Sequence, residues 1–132
     1  MKSQRAECRC GALQADCSGD PVRVSVCHCL SCKRRSGSAF SYNATYAREQ
    51  VEGRGAASIF TSVSDEGHWA CFHFCPTCGT TVWYEIELRP GMVTIPVGAF
   101  ADPGFPAPTV MVYSERAHPW CVVATDTPIR EE

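Results

Sequence analysis

Apolar and polar residues alternate with a period of two along several stretches of the chain, which is the pattern of a half-buried β-strand. The clearest stretch is 81–88, where every second residue from Val82 is apolar or aromatic and two of the residues between are glutamates. Alternation or short β-branched runs predict strands at 38–46, 68–74, 81–88, 92–97, 109–113 and 121–124. The large aromatic residues of these strands are expected in the core, namely Phe40, Tyr42, Trp69, Phe72 and Trp83.

Ten glycines and nine prolines interrupt the sequence, and no long helical period survives between them. Only 29–37, with 47–51 as a second candidate, has the pattern of one or two helical turns. The last residues, 127–132, are polar and are expected to fray. We therefore predict an all-β fold of antiparallel sheets with at most one or two short helical turns.

Size and composition indicate one globular domain spanning 1–132, since 45% of the residues are hydrophobic and 20% are charged. The formal net charge of −2 argues against a nucleic-acid or membrane surface, which usually carries a basic excess. No run approaches the roughly 18 apolar residues of a membrane helix, and residues 1–7 lack the apolar stretch of a signal peptide. We expect a cytoplasmic protein, in a reducing compartment where clustered cysteines bind metal more often than they form disulfides.

Seven of the ten cysteines fall into three short clusters. These are Cys8 with Cys10, then Cys27 with Cys29 and Cys32, then Cys75 with Cys78. A structural zinc site takes four protein ligands, whereas a catalytic site takes three and keeps one position open, so seven cysteines suggest two zinc ions. The middle cluster has three sulfurs within six residues and is the natural three-ligand site.

A different pairing is also compatible with the spacing. Cys29 and Cys32 could join Cys75 and Cys78 in a zinc ribbon, which would leave the other three clustered cysteines without a metal. Spacing by itself leaves both arrangements open.

The order of the motifs resembles a known family. C-x-C-G at 8–11, C-H-C-x-x-C at 27–32 and F-C-x-x-C-G-T at 74–80 are similar to the signature of the glutathione-dependent formaldehyde-activating enzymes, a family that includes centromere protein V. The stretches 98–103 and 119–120 also fit, so the resemblance runs from about Cys8 to Trp120. The chain departs from the family pattern at His73, where an arginine is common, and at Met111, where a histidine is common.

The resemblance implies a β-tent fold, two zinc ions and a reaction. It implies a structural zinc on Cys8, Cys10, Cys75 and Cys78, and a catalytic zinc on Cys27, Cys29 and Cys32. The implied reaction joins glutathione and formaldehyde reversibly to S-hydroxymethylglutathione.

Several other residues have two interpretations. The basic run Lys33-Arg34-Arg35 is either a solvated face or a site where Arg34 and Arg35 bind the carboxylates of a thiol such as glutathione.

The histidines near the clusters are not expected to bind the metal first. His28 should point away from the metal, and it lies either at the surface or behind the ligands, where it would support them. His73 is expected to be a packed histidine, with zinc ligation as the alternative. Asp102 is a turn residue or lines the site, and Cys17, Cys71 and Cys121 are expected to be small buried hydrophobic residues.

Two functions follow from these observations. The first is a zinc-dependent carbon–sulfur lyase that acts on small thiol–aldehyde adducts, with a small thiol and an aldehyde as its partners and with no nucleic acid or membrane. The second is a non-catalytic, zinc-stabilised interaction module. The oligomeric state does not follow from the sequence.

Overall fold

The computed structural model describes residues 2–64, 66–126 and 128–132. In this part of the chain there are eleven strands, one α-helix and three short 3-10 helices. The strands are β1 Ser3–Glu7, β2 Gln14–Ser18, β3 Arg23–Cys27, β4 Ser41–Ala47, β5 Val51–Arg54, β6 Ser58–Val63, β7 Trp69–Phe74, β8 Thr81–Ile86, β9 Met92–Pro96, β10 Val110–Val112 and β11 Arg130–Glu131. The helix α1 spans Leu30–Ser36, and the 3-10 helices span Arg48–Gln50, Val97–Phe100 and Ser114–Arg116.

The strands form two sheets, so the all-β fold class is confirmed. One sheet has three strands in the order β1-β2-β5, and the other has eight in the order β11-β10-β3-β4-β9-β8-β7-β6. The described strands pair antiparallel, as predicted, except at one end of the large sheet, where β10 pairs in parallel with both β3 and β11. The long segment 97–109 joins β9 to β10 and brings β10 alongside β3. A connection of that length allows the chain to cross the sheet and return in the parallel direction.

Five of the six predicted strands are present, as β4, β7, β8, β9 and β10. The strand predicted at 121–124 is not formed, because no neighbouring strand pairs with this segment and Val122 is 82% exposed. The predicted fraying of 127–132 is wrong for β11, since the amide of Arg130 donates to the Thr109 carbonyl at 2.9 Å. Thr127 itself lies outside the described residues. The predicted helical turns correspond to α1 and to the 3-10 helix at 48–50.

The core lies between the two sheets and consists mainly of aliphatic and small residues. Ala6 and Ala15 come from the three-stranded sheet, and Ala44, Tyr46 and Ile95 come from the other; all are at most 1% exposed. The predicted aromatic core is therefore wrong in its members. Tyr42 and Trp83 are partly buried and pack against the core. Phe40 and Phe72 are half-buried elsewhere, and Trp69 is 42% exposed. Cys17 is buried as expected, whereas Cys71 and Cys121 are only half-buried.

A close backbone contact connects β5 to the loop between β1 and β2. Gly55 has φ +97°, and a Cβ atom at this position would lie 2.1 Å from the carbonyl oxygen of Ala12. Only glycine tolerates both the backbone conformation and this approach. The contact fixes the position of the loop that follows Cys8 and Cys10.

We predict that Gly55→Ala destabilises the protein by at least about 3 kcal/mol, because backbone strain at positive φ adds to a clash with a carbonyl group that cannot rotate away. Gly91→Ala is the matched control, since Gly91 has φ +76° but no atom within 4 Å of the added methyl group. The control should lose only about 1–2 kcal/mol. Urea unfolding of the two variants measures the difference, and equal losses would contradict the steric argument.

Candidate metal centres

Four cysteines from two separate hairpins meet at one end of the core. Cys8 and Cys10 lie in the loop after β1, and Cys75 and Cys78 lie in the turn between β7 and β8. The second turn is tight: the amide of Gly79 donates to the Cys75 carbonyl at 2.8 Å, and Gly79 has φ +82°. Backbone amides are directed at the sulfurs, as in the 3.2 Å bond from Leu13 N to Cys8 Sγ. Hydrogen bonds from the Cys78 and Thr77 amides lower the pKa of Cys75, which favours its thiolate form.

The separations between these sulfurs fit a tetrahedral zinc site. The four Sγ atoms lie within 4.8 Å of one another, and both the Cys8–Cys10 and the Cys10–Cys75 separations are 3.7 Å. Four sulfurs at about 2.3 Å from a tetrahedral zinc ion would be about 3.8 Å apart. We call these residues the four-cysteine cluster; its thiols and spacing could hold a zinc ion.

The other three clustered cysteines meet where β3 leads into α1. Cys27 is the last residue of β3, Cys29 is the N-cap of α1 and Cys32 lies in its first turn. Cys29 Sγ accepts a hydrogen bond from the Cys32 amide at 3.2 Å. All three side chains are half-buried, and their sulfurs lie within 4.8 Å of one another. We call this the three-cysteine cluster, and the ribbon pairing of Cys29 and Cys32 with the β7–β8 turn is not formed.

The close spacing within each cluster shifts the pKa values of its thiols. Hydrogen bonds from the Cys27 and Cys32 thiols lower the pKa of Cys29 to about 2, and the same proximity raises the pKa of Cys27. In the four-cysteine cluster, the Thr80 hydroxyl, 3.4 Å from Cys78 Sγ, and backbone amides lower the pKa of Cys78 to about 5. Low thiol pKa values favour metal binding because the thiolate is the form that ligates.

A buried polar face lies behind the three-cysteine cluster, and the sequence analysis did not single it out. Ser41 of β4 is the register partner of Cys27 and is 3% exposed. Asn43, 5% exposed, accepts a 2.9 Å hydrogen bond from the Tyr84 hydroxyl. The alternation in 38–46 does place Ser41 and Asn43 on one face, but it carries no sign that this face is buried.

The basic residues after the cluster have different environments. The Arg35 guanidinium lies over the rings of Phe72 and Tyr84, at 5.3 and 5.2 Å from their centroids. Lys33 Nζ donates to the Arg116 carbonyl at 2.6 Å, whereas Arg34 is exposed. Arg35 also lines a cleft of about 890 Å³ between the end of α1 and the four-cysteine cluster. Arg9 lies on the opposite wall of this cleft, beside the β7–β8 turn.

Neither histidine near the clusters joins the sulfurs. His28 is fully buried against Phe40, so of its two expected positions the one at the surface is wrong and the one behind the ligands is left. Burial and the charge of Lys33 lower its pKa. His73 stacks on Trp83 at 4.9 Å, and its Nε2 lies 3.1 Å from a Glu85 carboxylate oxygen. It is therefore the packed histidine that the sequence favoured.

Asp102 and Met111 also lie outside the two clusters. The Asp102 carboxylate accepts hydrogen bonds from the Gly104 amide at 2.9 Å and from Gln4 Nε2 at 2.8 Å, as a turn residue does. Met111 lies on β10 opposite Val26. No helix within the described residues is long and apolar enough to cross a membrane.

The fold and the two thiol clusters define a small β-rich domain of the kind that could bind zinc through cysteine. The model of the family described as glutathione-dependent formaldehyde-activating enzyme matches residues 3–116. The chain belongs to this family. A crystal structure of a Rhodobacter sphaeroides protein from a structural genomics programme superimposes with a TM-score of 0.58 and 22% sequence identity, over 72% of this chain and 85% of that one. At that identity the similarity shows the fold, and no curated protein matched the chain.

We predict that Cys78 reacts with iodoacetamide at least roughly tenfold faster than Cys10 at pH 6 in metal-free protein, because its thiolate fraction is far larger. An Ala12 backbone hydrogen bond lowers the pKa of Cys10, but bonds with the Cys75 and Cys8 thiols raise it to about 11. Cys10 is the more exposed of the two, so accessibility alone predicts the opposite order.

Mass spectrometry of the alkylated peptides measures both rates, and circular dichroism checks that the sample remains folded. Cys17, buried and with its pKa raised to about 12 by burial, serves as the unreactive reference. Faster labelling of Cys10 than of Cys78 would contradict the proposed electrostatics of the cluster.

Proposed function

We propose that this protein is a zinc-dependent carbon–sulfur lyase acting on small thiol–aldehyde adducts such as S-hydroxymethylglutathione. The observation that carries the proposal is the three-cysteine cluster. Its three sulfurs converge on one point, and no histidine, aspartate or glutamate of the described residues joins them as a fourth ligand. Three ligands with an open position are typical of a catalytic zinc site, whereas four are typical of a structural one.

The two clusters would then have different tasks. Cys8, Cys10, Cys75 and Cys78 would hold a structural ion between the two hairpins, and Cys27, Cys29 and Cys32 would hold a second ion with a free position. A zinc ion there would accept the substrate thiol as a thiolate at neutral pH. Three thiolate ligands already donate strongly to the metal, so we favour this role over polarisation of the aldehyde.

The reaction makes one carbon–sulfur bond and moves one proton. The sulfur of the thiol bonds to the carbonyl carbon, the π electron pair moves to the oxygen, and that oxygen takes up the proton that the thiol has released. The reverse reaction breaks the same carbon–sulfur bond and returns the aldehyde and the thiol.

The cleft beside α1 supports an anionic thiol as the substrate. The cysteines that line it are Cys8, Cys10 and Cys78 of the four-cysteine cluster, and its connection to the three-cysteine cluster is Arg35, which lies on α1 three residues after Cys32. Arg35 borders it on one side and Arg9 on the other, and neither forms an ion pair with a described residue. A volume of about 890 Å³ is within the range of small-molecule sites. Glutathione carries carboxylates at both ends, which the two guanidinium groups could bind through charge-assisted hydrogen bonds.

Magnetisation-exchange NMR on glutathione, formaldehyde and their adduct tests the proposal. Zinc-loaded wild-type protein should accelerate exchange, and Cys32→Ser should abolish the acceleration while the far-UV spectrum and one tightly bound zinc ion remain. Cys121→Ser is the control, since Cys121 belongs to neither cluster.

Full activity in Cys32→Ser would exclude the three-cysteine cluster as the reaction site. A wild-type protein that holds two zinc ions and accelerates no exchange with glutathione or other small thiols would favour the non-catalytic interaction module.

We further predict that Arg35→Ala raises KM for glutathione by roughly tenfold or more, the value of one charge-assisted hydrogen bond. Arg34→Ala should change KM less than threefold, because Arg34 is exposed and does not line the cleft. Steady-state assays with 2-mercaptoethanol as an uncharged thiol provide the control, and here both variants should match the wild type. A larger effect from Arg34 than from Arg35 would place the carboxylates on the solvent face of α1 instead.

A further inference from the structure

Among the described residues the two sheets have four edge strands, and three of these carry charged side chains. β1 and β5 each contain one arginine and one glutamate, and β11 consists only of Arg130 and Glu131. Short length and charged side chains discourage an edge strand from pairing with another chain. β6 is the exception, since its six residues, Ser58–Val63, include neither a charge nor a proline.

The outer edge of β6 presents backbone groups with which no described strand pairs. The Ser64 amide donates to the His68 carbonyl at 2.8 Å, and this pair continues the register of β6 with β7. Hydrogen-bonded and non-hydrogen-bonded pairs alternate along an antiparallel ladder. Counted back from Ser64, the N–H and C=O groups of Ile59, Thr61 and Val63 therefore point away from β7.

Apolar side chains are exposed on both faces of this edge. Ile59, Phe60 and Val63 are 59% to 68% exposed. Ile59 and Val63 share one face, where Trp69 of β7 lies opposite Val63, and Phe60 lies on the other face. A cluster of exposed apolar residues on a strand with free backbone groups is typical of an interaction surface.

We infer that β6 pairs antiparallel with the β6 strand of a second copy of this chain, with Thr61 on the two-fold axis, so that the two large sheets join into one. In this register the three outward-pointing residues meet three outward-pointing residues of the second copy. Each of these pairs exchanges two hydrogen bonds. The inference goes beyond the proposed function and depends on neither the metal sites nor the reaction.

The side chains of β6 are compatible with pairing to their own copy. Ile59 lies opposite Val63 of the second copy, and Thr61 lies opposite Thr61. Apolar pairs and threonine pairs at opposed positions stabilise antiparallel sheets, whereas like charges opposite one another destabilise them. Because β6 has no charged residue, this pairing opposes no like charges.

The same arrangement limits the size of the assembly. A two-fold interface uses the same surface of both copies, so the pairing consumes the free edge of each. The large sheet ends on its other side at β11, which is short and charged. Growth therefore stops at a dimer. An interface of one strand from each copy is small, and small interfaces belong to weak complexes, so we expect a concentration-dependent equilibrium between monomer and dimer.

Sedimentation equilibrium of the full chain over a series of concentrations tests the inference. Val63→Lys should raise the Kd of the dimer by roughly tenfold or more, because two-fold symmetry introduces a charge into two apolar cross-strand pairs. Leu88→Lys is the matched control, since Leu88 is 63% exposed but follows β8 and does not belong to β6. The control should dimerise like the wild type.

Thr61→Pro tests the backbone pairing separately. Proline removes an N–H group that points away from β7, so the β6–β7 ladder stays intact and circular dichroism should be unchanged. The Kd of the dimer should rise by roughly tenfold or more, because each copy loses one hydrogen bond. This variant also keeps the test open if Val63→Lys fails to fold.

Amide hydrogen exchange of the wild type checks which groups form the interface. Protection of the Ile59, Thr61 and Val63 amides should increase with protein concentration. The Phe60 and Ser62 amides bond to β7 and should be equally protected at every concentration.

A chain that stays monomeric at all concentrations would overturn the inference, and so would a dimer that neither Val63→Lys nor Thr61→Pro weakens. Equal weakening by Leu88→Lys would indicate general hydrophobic association instead. Oligomers that grow beyond the dimer would contradict the two-fold pairing.

Discussion

The convergence of four thiols from two sheets is the constraint on which the architecture depends. Within the described residues no ladder of backbone hydrogen bonds joins the three-stranded sheet to the eight-stranded one, so the two are held by their shared core and by this cluster. Cys8 and Cys75 are themselves buried core residues, at 3% and 0% exposure. Four thiolates this close would repel one another strongly unless a cation lay between them, so a metal ion bound there would stabilise the packing of the two sheets.

The three-cysteine cluster has a different relation to the fold. Its ligands lie within six residues, on the end of β3 and the first turn of α1, so local structure alone brings them together. What the tertiary structure adds is the environment: a buried polar face of β4 behind the sulfurs and a cationic side chain held over two aromatic rings beside them. The two clusters therefore differ in how they are assembled, one from distant parts of the chain and the other from a single local segment.

Sequence reasoning found the features that are local in the chain. The cysteine spacings, the helix after Cys29 and the strands with clear alternation all follow from short-range geometry. Of the strands that it missed, β1 and β6 are largely polar or exposed, so their alternation is weak. β2 does alternate, but its buried residues, Ala15 and Cys17, are small and give little hydrophobic signal. The aromatic residues that the core does contain are Tyr46, Phe100 and Phe105, and alternation did not single them out because it shows which residues share a face but not which face is buried. The Tyr84–Asn43 hydrogen bond joins residues 41 positions apart, and it is created by the arrangement of strands in the sheet, which no sequence motif records.

The separation of 65 residues between Cys10 and Cys75 has a consequence for how the protein is made. At roughly 5–20 residues per second, a ribosome needs several seconds to add that length. During this interval the nascent chain comes to present five of the seven clustered thiols, at positions 8, 10, 27, 29 and 32, without the two that complete the four-cysteine cluster. A zinc ion captured early has the wrong set of ligands available to it. A zinc ion bound at that stage would have to be released and exchanged after synthesis has passed Cys78, and a buffered, exchangeable zinc supply would allow this better than an excess of the free ion.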